Sequence, residues 1–103
     1  MGNTKTYIIG QDKNYEGKLS KTVVDNVIKN FKRVFEEYSR SKKIIEAFEL
    51  NGGEGMTSGA AESWKEFNKW CRKNKVDAIY NTSSDIDKII QALRVRVDNK
   101  NKN

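Results

Sequence analysis

The feature that most limits what this chain can fold into is the spacing of apolar residues between Ser20 and Leu50. Val24, Val27, Phe31, Val34, Tyr38, Ile45 and Phe48 follow one another at three- and four-residue steps, with one lapse at Ser41. Side chains so spaced share one stripe of an α-helix, and Ile28 and Phe35 widen it. The spacing predicts one helix over 20–50, about 45 Å long at roughly 1.5 Å per residue. Ser20 or Thr22 caps it, and Leu19 can pack on Val24 as a hydrophobic staple. Lys32–Glu36, Arg33–Glu37, Glu36–Arg40 and Lys42–Glu46 stand four apart and mark its solvated side. The run Ser39-Arg40-Ser41-Lys42-Lys43 interrupts the stripe, and either kinks the helix or divides it into 20–38 and 42–50.

The remaining segments are arranged around that helix. Thr4 to Ile9 favours a strand, Gly10 to Asn14 a turn, and Tyr15 to Leu19 a returning hairpin arm, with Tyr7, Ile9 and Leu19 inward. Asn51-Gly52-Gly53-Glu54-Gly55 ends the long helix. Thr57 or Ser58 then caps a second helix over about 59–74 that buries Ala60, Trp64, Phe67 and Cys71. Val76, Ala78, Ile79 and Tyr80 read as a short apolar link. A third helix over 84–96, started by Ser84 and Asp87, turns Ile86, Ile89, Ile90, Leu93 and Val97 inward. Leu93 to Val97 also alternates with period two, which reads as a strand pairing with residues 4–9. The expected fold is mostly α. It is a small helical bundle built on one long N-terminal helix, with a minor N-terminal β element, one domain over 1–103, and frayed tails at 1–3 and 98–103. The long stripe also admits self-association, so the expectation is a monomer or a homodimer.

Composition argues against most catalysis. There is no histidine, which removes Ser-His and Cys-His activation and the usual neutral-pH acid–base group. One cysteine without histidine leaves no ordinary zinc site, and no metal or cofactor is expected. Cys71 shares the stripe of Trp64 and Phe67 and reads as a small buried hydrophobe. The paired acids Glu36-Glu37, Glu46 with Glu49, and Asp85 with Asp87 have helical explanations. The glycines at 52, 53, 55 and 59 lack the spacing of a phosphate loop, and a helix is expected before them. The chain is therefore expected not to be an enzyme. A lone cysteine points to a reducing, cytoplasmic setting, and no apolar run approaches the roughly 20 residues that cross a bilayer.

The net charge of +6 raises the prior for an anionic partner. Its densest part is residues 65–75, where Lys65, Lys69, Arg72, Lys73 and Lys75 stand against Glu66 alone. Lys65, Lys69 and Lys73 form one row at four-residue steps, and Trp70 at the flank of the buried stripe could stack on a base or anchor a protein. Two functions follow as expectations. The first is a protein-interaction module, an inhibitor or adaptor of phage or mobile-element type, binding a host protein or nucleoprotein complex that handles nucleic acid. The second is a small basic nucleic-acid-binding regulator using the 65–75 face.

Overall fold

The long stripe does mark a helix, but the helix stops at Arg40. The computed structural model describes residues 5–91. They form β1 (Thr6–Lys13), α1 (Lys21–Arg40), β2 (Ile44–Gly52), α2 (Ser58–Lys73), β3 (Asp77–Asn81) and the start of a helix α3 (residues 83–91). The strands make one parallel sheet in the order β1-β2-β3. The molecule is thus an α/β fold, and the expected mostly helical bundle on a helix over 20–50 is overturned. Each strand returns to the next through one helix. Two crossovers of the same hand in the same direction bring both helices to one face of the sheet.

Two local causes separate α1 from β2. Lys42 adopts a left-handed conformation at φ 57°. Its amide bonds the Ser39 carbonyl at 3.1 Å and the Lys43 amide bonds Tyr38 at 2.9 Å, which closes the helix end. Ile44 and Ile45 then open a strand, where β-branched side chains sit well. The pairing Tyr7↔Ile45 is followed by Ile8↔Ala47, so β2 carries one extra residue at Glu46. This bulge puts Ile45 and Phe48 on one face at a three-residue step, the spacing of a helix. The apparent continuation of the stripe past Lys43 has that origin.

The core lies between the sheet and the two helices. Val24, Val27 and Phe31 of α1 meet Ile45, Phe48 and Leu50 of β2 and Ala60, Phe67 and Cys71 of α2, all buried. Phe31 stacks on Phe48 at 4.6 Å between centroids, and Phe67 stands 5.8 Å from Phe48. The ribbon from Val24 to Phe31 is covered by β2 and α2, where the helical-bundle reading has two later helices over 59–74 and 84–96.

The N-terminal hairpin is also overturned. β1 continues to Lys13 through the expected turn, and Tyr15 is exposed. Leu19 is buried in the core cluster as an inward residue, but it forms a parallel bridge to Met56 and no returning hairpin arm. The link at 76–80 is largely β3, with Ala78 and Tyr80 packed inward. Thr82 and Asp85, not Ser84 and Asp87, start α3. The Asp85 amide bonds Thr82 Oγ1 and the Thr82 amide bonds Asp85 Oδ2, both at 3.1 Å. Ile89 and Ile90 are exposed and close no core. Leu93, Val97, the strand alternative at 93–97 and the tails lie outside the described residues. No described helix is long and apolar enough to cross a membrane.

Candidate functional site

The basic residues singled out from the sequence lie on and just beyond α2. Lys65, Lys69, Arg72 and Lys73 are exposed on the helix, and Lys75 follows it in the turn to β3 at φ 59°. Lys69 pairs with Glu66 at 3.3 Å, an exposed contact of little energetic weight. Trp70 is half-buried, and its ring is engaged within the protein. It meets Phe35 edge-on at 5.0 Å, stacks on Phe67 at 5.7 Å and carries Lys32 Nζ 5.3 Å from its centre. Those contacts lock α1 to α2.

The glycine loop differs from expectation in one respect, since a strand precedes it. β2 runs into Gly52–Gly55 and then α2, the order in which phosphate loops occur. Several of the amides here are nevertheless engaged within the protein. Glu54 donates to the Gly17 carbonyl, Thr57 to Leu19, Ala60 to Thr57 Oγ1 and Ala61 to the Thr57 carbonyl. The Gly55 amide donates to Tyr80 Oη at 3.1 Å, and Tyr80 donates to the Gly52 carbonyl at 2.8 Å. Burial raises the Tyr80 phenol above its ordinary value, which keeps it a donor. The loop is a stapled corner holding β1, β2 and β3 together.

The second face of the sheet is the unusual surface. The register puts Thr6, Ile8, Gly10 and Asp12 of β1 on it, beside Ile44, Ala47, Glu49 and Asn51 of β2 and Asp77, Ile79 and Asn81 of β3. Neither α1 nor α2 covers it. Ile8 is 59% exposed, Ile44 48% and Ile79 37%. Ala47 between them is buried by its neighbours yet belongs to no part of the core cluster.

Towards the carboxyl ends of the strands the same face turns polar. Asn51 Nδ2 donates to Asp12 Oδ1 at 3.1 Å, and Asn81 Nδ2 donates to Asn51 Oδ1 at 3.0 Å and to Glu49 Oε1 at 3.2 Å. This ladder floors an open cleft of about 480 Å³, walled by Ile86, Ile89 and Ile90 of α3. Thr82 bonds hold the Asp85 carboxyl below its usual value, which favours the charged cap that starts α3. Sequence reasoning missed this face entirely. The alternation Asp77-Ala78-Ile79-Tyr80-Asn81 was the signal that could have exposed part of it.

Cys71 is fully buried, and burial pushes its thiol up to about 12. Among the described residues no cluster of cysteine and acidic side chains could hold a metal ion. No family model, curated protein or solved structure matches the chain.

Proposed function

We propose that the chain is a non-enzymatic protein-interaction module that works in the cytoplasm and binds its partner through the second face of the sheet. The observation that carries this reading is the exposure of Ile8, Ile44 and Ile79 on a parallel sheet whose other face bears two helices. Parallel sheets are ordinarily covered on both faces, because each strand buries apolar side chains to either side. Exposed isoleucines on one face, one from each strand, are a surface that association would desolvate. The small size is in keeping with an inhibitor or adaptor of phage or mobile-element type, acting on a host protein that handles nucleic acid.

The test is capture of a stoichiometric partner from a lysate treated with nuclease, run in parallel with an Ile8→Ser/Ile79→Ser variant. The reading predicts a partner held by the parent and lost by the variant. Equal capture by both removes the face from the account. Nucleic-acid binding by Lys65, Lys69 and Lys73 is the second reading, favoured by their exposure on one helix and weakened by the engagement of Trp70. It predicts an affinity that falls steeply with salt and is lost when the three lysines become alanine.

A further inference from the structure

The charge on the second face is opposite to that of the chain. Its strand positions carry Asp12, Glu49 and Asp77, the bulge adds Glu46, and no lysine or arginine stands among them, in a chain of net charge +6. The cleft repeats the pattern with Asp12, Glu49 and Asp87 against Lys13 alone. Asn51 and Asn81 engage Asp12 Oδ1 and Glu49 Oε1. The other oxygen of each carboxylate has no partner among the described residues, and a carboxylate accepts readily at both.

The dimensions of the face select a class of occupant. Three strands about 4.8 Å apart set the outer two about 10 Å from one another, which is the width of one helix with its side chains, about 10–12 Å. A second copy applied face to face would set acids against acids, and a nucleic acid would meet charge of its own sign. Resting on the interaction reading above, we propose that the face receives one basic amphipathic helix of a partner protein. Its apolar stripe lies on Ile8, Ile44 and Ile79, and an arginine or lysine enters the cleft against Asp12 and Glu49.

A displayed library of helical peptides tests this, with a fixed apolar stripe and flanks varied among Arg, Lys, Gln and Glu, selected on the full chain. Arg or Lys is expected to be enriched at the flanks. Affinity for the selected peptide should fall about tenfold or more in Asp12→Asn/Glu49→Gln, as charge-assisted bonds become neutral ones. It should also weaken with salt. Both changes are isosteric and keep the carboxamide ladder, so circular dichroism of the variant should match the parent. Enrichment of Gln or Glu, or affinity within twofold of the parent after the double change, overturns the basic helix. If those same peptides still need Ile8 and Ile79, the face reading survives that failure. Peptides indifferent to Ile8→Ser/Ile79→Ser, or no enrichment at all, overturn both. A dimer on a sizing column that Ile79→Ser dissolves gives the face to a second copy and overturns the partner helix.

Discussion

Gly52 is where the parallel pairing of β1 with β2 can be put under the most direct steric strain. It lies opposite Lys13 in the register, at φ 127°. A Cβ built there would sit 1.7 Å from the Lys13 carbonyl oxygen and 2.7 Å from its carbon. That is about half of an ordinary carbon contact near 3.5–4.0 Å. The obstacle is backbone, so no rotamer relieves it. Gly52→Ala must therefore part the ends of the strands. The strain of the positive φ costs about 1–2 kcal/mol. The ladder bonds and the Tyr80 bond to the Gly52 carbonyl add about 1 kcal/mol each as they are lost. A total of about 3–5 kcal/mol is a large share of a small domain's stability, about 5–15 kcal/mol. It should lower Tm by roughly 12–40 °C, at about 4–8 °C per kcal/mol for a chain of this size. Gly17→Ala is the matched control. Gly17 also has positive φ, at 77°, but nothing lies within 4 Å of its added Cβ. Only backbone strain remains, offset by the stiffer unfolded chain, for a net cost of about 1 kcal/mol or less. Urea and thermal denaturation of the two variants decide the matter. Equal losses would mean that Gly52 is not seated against Lys13, and the pairing of β1 with β2 would be wrong.

Three further outcomes follow from the same geometry. Lys42→Gly and Lys75→Gly remove side chains from left-handed positions, and each should stabilise by about 0.5–1 kcal/mol, read as a rise in the urea midpoint. Cys71 should resist thiol reagents until denaturant is added. Because its thiol is raised in the folded state from 9.0 to about 12, the stability it contributes is whole below pH 9 and declines as pH climbs towards about 12. Tyr80 acts in the same direction, and Cys71→Ala should flatten this alkaline decline. Trp70→Ala should cost about 2–3 kcal/mol of stability, less than the full loss at a buried tryptophan because the ring is only half-buried. An unchanged denaturation midpoint would return Trp70 to the surface.

The helical share of the fold was readable because α1 and α2 obey one period. Val24, Val27 and Phe31 repeat faithfully, as do Ala60, Phe67 and Cys71, and Ser20 and Thr57 cap the helices they precede. The sheet was hidden for two physical reasons. Lysine, not glycine, occupies the left-handed residue after each helix, so neither end is announced. The bulge at Glu46 then gives a strand the three-residue step of a helix. β3 is only five residues long, too short for alternation to outweigh the apolar run around it. The candidate face was illegible for a different reason. Ile8, Ile44 and Ile79 are distant in sequence, and only the parallel register brings them to one face. Charge density drew attention to Lys65, Lys69, Arg72, Lys73 and Lys75 because a charge run is visible locally. A surface assembled from three strands has no such local mark.

Everything proposed for the face depends on residues 44–52 being the middle strand. An isotope-edited NOE spectrum of the native protein tests this most directly. The account predicts backbone contacts that tie Ile8 to Ala47 and Ala47 to Asp77, and then Gly10 to Glu49 and Glu49 to Ile79. Unbroken helical contacts from Tyr38 through Leu50, without those cross-strand contacts, would contradict it.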